Sequence, residues 1–486
     1  MRRRIFRLQR PPLRLLLPCV LTGLLLGLCG LPLAWSALTP LPLALALWLI
    51  ASGETSRAAA GRAFWLMSAY FAVQLWWLTH FMADLTGFPW GGVLVLPLFL
   101  LEGTFWALMA WVVTRPFSTM HARVWALACG WVVLEWLRTL GPLAFPWSDL
   151  GYTLLPTPVA QTADLWGKLG LSLLVVYTAA SLVSLVLGRY AAPLATLLLW
   201  GGGWAYGSTR HNASGAERQA LLTRTEFSSF ARATGSLSAE EQFQQLSQLS
   251  RSRTPGEIVI WSETAVRYAF YLPRVPGPGI YGVDQNDSNN AVIWDGGQTG
   301  SVVYTKLKPV PMGEYFPFEF GFLRPLWTFI FRQLGFQFNP VLGHSSLPLR
   351  LQGVYYGTYI CYDSIFSWVP RQMVLNGAQV LVNISNDGWY TGWGVQQHFQ
   401  MGRMRAIETR RWVLRSVNAG VAASIDDLGQ PIRVLDHGSG SLHASYRVLN
   451  GQSLYVRLGD WPALILALCL LIPAWRSERR SGRRLL

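Results

Sequence analysis

The chain has 486 residues, of which 51% belong to the hydrophobic set AVILMFWYC and 13% are charged. Soluble globular proteins carry roughly 25% charged residues, so this composition excludes an ordinary soluble chain, and it also excludes a disordered or disulfide-scaffold protein. The 40 Lys and Arg against 25 Asp and Glu give a net charge of +15. Part of this charge lies in two arginine-rich tails beside apolar segments, which is typical of the cytoplasmic flanks of membrane helices and not of nucleic-acid binding.

Residues 1–206 consist of successive apolar stretches, most of them close to the ~20 residues that a membrane-spanning helix needs. A shorter stretch near the C-terminus has Trp at both ends, where interfacial anchors are usually placed. The sequence predicts eight spans with these bounds: 13–31, 33–51, 62–82, 92–114, 122–138, 166–187, 191–206 and 461–475.

The arginines predict the orientation of these spans. With the N-terminus in the cytoplasm, the cytoplasmic connections hold Arg57, Arg115 and Arg189. The opposite connections, 83–91 and 139–165, contain no Lys or Arg, as the positive-inside rule requires. This pattern predicts a membrane domain, an extracytoplasmic domain and a C-terminal span with a basic cytoplasmic tail, at 1–206, 207–458 and 459–486 respectively.

The region 207–458 has a different pattern, in which short β-branched runs alternate with amphipathic stretches. Such alternation is typical of an α/β domain with a buried sheet. The predicted strands are Ile258–Ile260, Ala291–Ile293, Ser301–Tyr304, Gly357–Ile360 and Val380–Val382. A helix is predicted around 394–410. We find no Gly-rich phosphate loop and no Cys/His cluster with metal-ligand spacing, so we expect neither a cofactor nor a metal.

Three polar residues of complementary chemistry follow predicted strands: Glu263, Lys306 and Cys361. An acid can deprotonate a thiol, the thiolate can attack a carbonyl carbon, and an ammonium can stabilise the oxyanion that forms. Taken singly, each residue also fits an ordinary structural role, as a helix-capping acid, a solvated lysine and a buried cysteine. The combination predicts carbon–nitrogen or acyl-transfer chemistry.

The surroundings of these residues add two expectations. Cys361 is expected to be exposed, because a residue at a strand-to-helix turn on a sheet edge faces solvent and backbone N–H groups. The Pro- and Gly-rich segment after Lys306 predicts a defined turn that brings Glu314 back to the same site.

Longer segments around these residues carry a family resemblance. They are Tyr304–Tyr315, Ile360–Asp363, Asn383–Trp389 and Gln397–Glu408, with Glu135–Arg138 and Phe145–Trp147 in the membrane part. The first two, with the surroundings of Glu263, resemble the nitrilase superfamily, and the whole set resembles the bacterial apolipoprotein N-acyltransferases. The resemblance covers nearly the whole chain, and the motifs are highly specific in combination.

The resemblance implies a multi-pass α-helical membrane bundle joined to an extracytoplasmic α/β domain of nitrilase type, an αββα sandwich, in the inner membrane of a bacterial cell. It implies a ping-pong reaction in which Cys361 takes a fatty acyl chain from a membrane phospholipid as a thioester. The chain then passes to the α-amine of the N-terminal diacylglyceryl-cysteine of an apolipoprotein. By position, Glu263 is the base and Lys306 the cation beside the oxyanion. Glu314 is a supporting acid, and the backbone N–H of Tyr362 is a second oxyanion donor.

The chain departs from the family pattern at two places. Asp363 stands where the family usually has Glu, which keeps the charge on a side chain that is one methylene shorter. Residues 211–252 are polar and lack the apolar strand and nearby Trp with which the family opens this domain. The first strand is therefore predicted within Ala220–Phe227.

Residues 321–340 are a run of large aromatic and aliphatic side chains between the motifs of Lys306 and Cys361. Exposed apolar patches usually mark interaction surfaces. We predict that this stretch lies at the membrane surface and lines the entrance for the acyl chain, with packed core as the alternative. The predicted lipid contacts are Trp327, Phe331 and Trp389.

Two other functions stay open on the sequence alone. A membrane-tethered amidase of nitrilase type would use the same three residues and let water resolve the thioester. A transporter would need ionisable groups inside its spans, and Glu102 and Glu135 are the candidates. Arg138 follows Glu135 by one helical turn, which favours a structural ion pair over transport.

Overall fold

The chain divides into two compact units, one helical and one built around a sheet. The helical unit comprises Met1–Leu140, Pro146–Thr209 and Asp460–Leu486. The sheet unit comprises Arg210–Gly459 and, from the middle of the helical sequence, Gly141–Phe145. The computed structural model describes residues 11–229, 231, 236–267, 269–285, 288–296, 299–311, 313–315, 325 and 341–482.

Each of the eight predicted apolar stretches contains helix. The α-helices of the described residues are α1 (Leu13–Cys29), α2 (Pro40–Ala51), α3 (Ser56–Gln74), α4 (Trp77–Thr86), α5 (Leu96–Thr114), α6 (Met120–Leu137), α7 (Ala163–Val186), α8 (Ala191–Ser208), α9 (Ala239–Leu249), α10 (Trp368–Leu375), α11 (Trp393–Thr409), α12 (Leu454–Leu458), α13 (Trp461–Cys469) and α14 (Leu471–Gly482). Threonine side chains cap two of them, since Thr55 Oγ1 accepts from the N–H of Ala58 and Thr119 Oγ1 from that of Ala122. Such caps satisfy N–H groups that the first helical turn leaves unpaired.

Among the described residues, three helical segments are long and apolar enough to cross a membrane, judged by length and composition: Pro89–Thr114, Pro158–Val186 and Trp461–Arg479. Two further apolar helices, Arg14–Cys29 and Ser36–Ala51, are shorter. Large apolar side chains point outward from this unit, as Leu197 and Leu198 do with 71% of each exposed. The eight-span arrangement itself stays a prediction.

Several buried charges in the helical unit form ion pairs. Arg138, at the end of α6, lies 3.1 Å from a carboxylate oxygen of Glu102 on α5 and 3.1 Å from one of Asp149. Glu135 accepts a hydrogen bond from the N–H of Leu150 at 3.1 Å. Removing one member of such a buried network typically costs about 3–5 kcal/mol, because its partner keeps an uncompensated charge. These contacts give Glu102 and Glu135 structural partners, as the sequence favoured over transport. The ion pair between Glu135 and Arg138 itself stays a prediction.

All five predicted strands are present in the sheet unit. Its strands are β1 (Ala216–Thr225), β2 (Ile258–Ile260), β3 (Gly279–Gln285), β4 (Ser288–Trp294), β5 (Thr299–Thr305), β6 (Leu349–Leu351), β7 (Val354–Ile360), β8 (Val380–Asn386), β9 (Val413–Asn418), β10 (Ala422–Ile425), β11 (Pro431–Leu435) and β12 (Gly440–Val448). The diverged first strand begins before the predicted Ala220–Phe227 and overlaps it. The helix predicted around 394–410 is α11.

The strands form one folded sheet in the order β5-β4-β3-β2-β1-β9-β8-β7-β6, with β12 antiparallel to β1 and the β10–β11 hairpin on β9. Pairing is parallel along β3-β2-β1-β9-β8-β7. Strands β4 and β5 lie against β6 and β7, so the sheet is nearly closed. Helix α9 packs on β1, α10 on β7 and α11 on β9. This is the nitrilase-like α/β arrangement expected for the domain.

Apolar packing fixes the strand that leads to Glu263. Trp261 is fully buried and makes edge-to-face contacts with Phe243 of α9 and Tyr281 of β3. Its indole N–H donates to Ser250 Oγ at 2.9 Å. Truncating a buried Trp to Ala typically costs about 3–5 kcal/mol. The backbone two residues before Glu263 is therefore held rigidly.

The topology brings the predicted chemistry to one edge of the sheet. Strands β2, β7 and β8 run in the same direction, and β5 shares it because β3-β4-β5 is antiparallel at both steps. Polar residues that follow these strands therefore emerge together. In α/β proteins, sites form at the carboxyl ends of the strands for this reason.

Candidate functional site

Glu263 follows β2 and is only 4% exposed. One carboxylate oxygen accepts hydrogen bonds from the Lys306 ammonium at 3.1 Å and from Asn289 Nδ2 at 2.5 Å. The other accepts from the backbone N–H of Asn386, at the end of β8, at 2.7 Å. Three strands therefore fix the orientation of this carboxylate.

Lys306 follows β5 directly and is 3% exposed. Its ammonium donates to Glu263 and, at 2.6 Å, to Glu314. Burial alone would lower the pKa of Lys306, but the two carboxylates outweigh it and hold this pKa well above its ordinary value. The side chain is therefore a fixed positive charge.

Glu314 returns to Lys306 through the turn that the Pro- and Gly-rich sequence predicts. Its second carboxylate oxygen accepts from the N–H of Val310 at 2.8 Å, which closes that turn on itself. Glu314 is thus a second acid on the same ammonium.

Cys361 begins the turn that follows β7, and its φ of +46° is in the left-handed region, which non-glycine residues seldom adopt. Backbone strain of this kind clusters at functional sites. The thiol is buried, with 3% of the residue exposed, so the expectation that it faces solvent was wrong. The reason is that the end of β8 and the segment after it cover the thiol: Cys361 Sγ lies 4.0 Å from the carbonyl oxygen of Asn386 and 3.9 Å from the Tyr390 hydroxyl.

The environment of Cys361 keeps its thiol protonated. Burial raises its pKa, the Glu263 charge raises it further, and Lys306 opposes both. A thiol in this state needs a neighbouring base before it can attack. The backbone of Asn386 joins the two residues, since its N–H donates to Glu263 while its carbonyl oxygen lies beside Cys361 Sγ.

Asp363 is fully buried and ties the strand end that carries Lys306 to the turn that carries Cys361. Its carboxylate accepts from the Tyr304 hydroxyl at 2.7 Å, the Lys308 N–H at 2.8 Å and the Ile360 N–H at 3.2 Å. Burial raises its pKa to about 6, although these donors oppose the shift. The shorter acid therefore still reaches its donors in this chain.

We expect Asp363→Ala to lower both stability and activity. The substitution leaves the Tyr304 hydroxyl and at least two buried N–H groups without their acceptor, at about 1–3 kcal/mol for each unpaired group. Thermal unfolding and acyl-enzyme formation of the purified variant would measure the two losses. Asp363→Asn, which keeps the shape and one acceptor oxygen, should lose less stability and less activity. An unchanged midpoint of thermal unfolding in Asp363→Ala would contradict the structural role of Asp363.

The other predicted residues are placed as follows. The Tyr362 hydroxyl donates to the carbonyl of Ala144 at 2.9 Å, and the role of its N–H as an oxyanion donor stays a prediction. Trp389 is partly exposed in the segment after β8, and its contact with lipid also stays a prediction. Trp327 and Phe331 lie outside the described residues.

A buried polar network beneath Cys361 was not assigned a role from the sequence. His398 of α11 contacts Asp387 at 2.9 Å through Nδ1, and through Nε2 it contacts Ser364 Oγ at 2.6 Å and lies 3.3 Å from the Cys361 carbonyl oxygen. Arg415 of β9 donates to Asp387 at 2.5 Å. The network links the nucleophile turn to α11 and β9. The only indication of this network in the sequence was the presence of polar residues inside two of the motif segments. Which of these residues contact each other depends on the strand order of the sheet.

Comparison with known proteins gives two domain matches and full-length relatives. Residues 22–181 match the apolipoprotein N-acyltransferase N-terminal domain, and residues 236–456 match the carbon–nitrogen hydrolase domain. The apolipoprotein N-acyltransferase of Azotobacter vinelandii is 31% identical, covering 95% of this chain and 94% of its own. That of Brucella melitensis is 29% identical, covering 86% and 85%. A solved carbon–nitrogen hydrolase from Helicobacter pylori G27 covers 51% of this chain and 94% of its own, with 16% identity and a TM-score of 0.35.

The two domain matches account for both compact units of the structure. The relative at 31% identity extends over nearly the full length of both proteins. The chain therefore belongs to the apolipoprotein N-acyltransferase family and is an acyltransferase of the carbon–nitrogen hydrolase superfamily.

Proposed function

We propose that this protein moves a fatty acyl chain from a membrane phospholipid to the α-amine of the N-terminal diacylglyceryl-cysteine of apolipoproteins. The observation that carries the proposal is the convergence of Glu263, Lys306 and Cys361 in a family whose relatives are named for this transfer. Glu263 and Cys361 contact the same residue, Asn386, and Lys306 binds Glu263 directly. A base, a fixed cation and a nucleophile are thus held by three different strand ends.

In the first half-reaction, Glu263 takes the proton of the Cys361 thiol as sulfur attacks the ester carbonyl carbon of the phospholipid. The tetrahedral oxyanion is stabilised by the Lys306 ammonium and by the N–H of Tyr362. The ester C–O bond then breaks, and Glu263 returns the proton to the departing alkoxide. The products are a lysophospholipid and a thioester on Cys361.

In the second half-reaction, the α-amine of the apolipoprotein cysteine attacks the thioester carbonyl carbon. Glu263 accepts the amine proton, the same cation stabilises the second oxyanion, and the C–S bond breaks. The thiolate of Cys361 recovers the proton, and the acceptor leaves as an amide. Glu314 holds the Lys306 ammonium in place through both steps.

The burial of Cys361 favours aminolysis over hydrolysis. With 3% of the residue exposed, the thioester would form where water has little access. A membrane-tethered amidase would need water at this carbon in every turnover. The site therefore favours a transferase over the amidase alternative.

Intact-protein mass after incubation with phospholipid alone tests the proposal. We expect a fatty-acyl adduct on Cys361 that hydroxylamine removes and that an amine-bearing diacylglyceryl peptide discharges. An enzyme that forms no adduct with phospholipid but hydrolyses simple amides would instead be the amidase.

We also propose a multi-pass arrangement in the bacterial inner membrane, with 207–458 outside the cytoplasm and both termini inside. The apolar helices and the arginine distribution support it. Reporter fusions after Arg189 and at Gly235 are expected to lie on opposite sides of the membrane. Both reporters on one side would overturn this topology.

A further inference from the structure

A cavity of about 320 Å³ lies in the sheet unit beside the candidate site. Its lining includes Leu307, the residue after Lys306, and Tyr362, the residue after Cys361. Most of the other lining residues are apolar. The volume is at the lower end of the range of ligand pockets, about 300–1,000 Å³.

Lys308 is the one charged residue among the described residues that line this cavity. Its ammonium lies over two aromatic rings, 5.3 Å from the centre of Phe366 and 5.5 Å from that of Trp368. The ammonium forms no ion pair or hydrogen bond with another of the described residues. Burial lowers the pKa of Lys308, and the Asp363 charge opposes this shift. A partly desolvated ammonium that lies over ring faces and forms no ion pair with the described residues gains strongly from an anion.

The neighbouring polar groups are already satisfied. The Tyr315 hydroxyl donates to the carbonyl of Pro142, and the Tyr362 hydroxyl donates to that of Ala144. Lys306 differs from Lys308, because two carboxylates neutralise it. Among its described lining residues, the cavity therefore offers one positive charge that forms no ion pair, that of Lys308, within a mostly apolar lining.

The charge of Lys308 distinguishes between the two substrates of the proposed reaction. A glycerophospholipid carries an anionic phosphodiester a few bonds from its ester carbonyls, and a pocket with one cation in apolar walls is complementary to it. The acceptor presents an amine at its reacting end, and a nearby ammonium would repel that amine in its protonated form. Charge complementarity therefore favours the donor.

We propose that this cavity is the donor subsite, in which Lys308 binds the phosphodiester of the acyl-donor phospholipid while its ester carbonyl reaches Cys361. The inference rests on the proposed function and adds to it a residue that recognises the donor. Lys308 acts in the first half-reaction, and after the lysophospholipid leaves it has no part in the second.

The test compares two acyl donors in detergent micelles, dioleoyl phosphatidylethanolamine and dioleoylglycerol, which has the same ester groups but no phosphate. Lys308→Met keeps the stem and the backbone N–H that donates to Asp363, but removes the charge. Lys308→Arg restores a cation. Arg350→Met is the matched control, since Arg350 also lies over a ring, that of Tyr355 at 5.9 Å, but does not line the cavity.

For Lys308→Met we expect the KM of Cys361 acylation by the phospholipid to rise by about tenfold or more, the usual effect of losing a hydrogen bond to a charged group. Acylation by dioleoylglycerol, and discharge of a preformed acyl-enzyme by a diacylglyceryl peptide, should stay within about twofold of wild type. Lys308→Arg should recover most of the preference for the phospholipid over dioleoylglycerol, and Arg350→Met should keep all of this preference. Because the readout is a ratio between donors on one preparation, partial misfolding cancels.

Three results would overturn the inference. They are an equal loss with both donors, no loss with either, and a defect confined to discharge by the peptide. A wild-type enzyme that phospholipid does not acylate would overturn the proposed function itself, which separates that failure from a failure of the Lys308 assignment.

Discussion

Replacing Cys361 with serine is expected to abolish acyl-enzyme formation and to lower turnover by on the order of 10⁴–10⁶-fold, the scale on which enzymes lose kcat when their nucleophile is removed. The hydroxyl of serine is far less acidic than a thiol, and the buried site already opposes the charged form of the thiol. A base that suffices for sulfur would therefore leave most of the serine oxygen protonated. Intact mass after phospholipid incubation, together with turnover, measures both effects.

The other cysteines provide the control for this prediction. Cys361 is the cysteine of the sheet unit, whereas the remaining four lie in the helical unit: Cys19, Cys29, Cys129 and Cys469. Replacing those four together with alanine should leave the acyl adduct and most of the activity in place. An adduct that persists in Cys361→Ser, or that vanishes in the fourfold variant, would remove the nucleophile assignment.

The strands that sequence could predict are those with dense β-branched residues. Ile258–Ile260 and Val380–Val382 are short runs without Gly or a charge, and each forms the strand expected of it. Strand β3 was not predicted, because its sequence GIYGVDQ mixes two glycines and an acid with the apolar residues. It forms because it pairs with β2 on one side and β4 on the other. Pairing partners of this kind are a property of the tertiary fold.

The residue types at the site could be predicted from the sequence, but the contacts that hold their side chains in place could not. Glu263, Lys306 and Cys361 could be found because each follows a strand-like run. The N–H that orients Glu263 comes from Asn386, and that contact depends on how β8 is placed in the sheet. The burial of Cys361 depends on Tyr390 in the same way. A linear pattern contains the donors and acceptors but not the strand order that pairs them.

The short segment Gly141–Phe145 shows the same limit. By sequence it belongs to a connection without Lys or Arg between apolar stretches, and it was predicted as part of the membrane domain. In the structure it belongs to the sheet unit, where the carbonyls of Pro142 and Ala144 accept from Tyr315 and Tyr362. These contacts use backbone carbonyl acceptors, which every residue has, so no pattern of side chains predicts them.

Glu263→Gln and Lys306→Met are expected to lower acyl-enzyme formation by different routes. The glutamine keeps an oxygen for the Asn386 N–H but cannot accept a proton, and general-base catalysis usually contributes about 10²–10⁴-fold. The methionine keeps the length of the stem but removes the charge beside the oxyanion, a loss of about 10²–10³-fold or ~2.7–4 kcal/mol. It also leaves the carboxylates of Glu263 and Glu314 without their shared cation, so Lys306→Met should be less stable.

The pH dependence of the two variants separates the base from the cation. In Glu263→Gln the Cys361 thiol must lose its proton to hydroxide, whose concentration rises about tenfold per pH unit, so acylation should recover steadily as the pH is raised. In Lys306→Met the base is still present and the missing element is charge stabilisation of the oxyanion, so raising the pH should restore little. Rapid-quench measurement of the acyl adduct between neutral and alkaline pH would show the difference. Near-normal rates in either variant, or identical pH profiles for both, would mean that the acid and the ammonium do not have the separate roles their hydrogen bonds suggest.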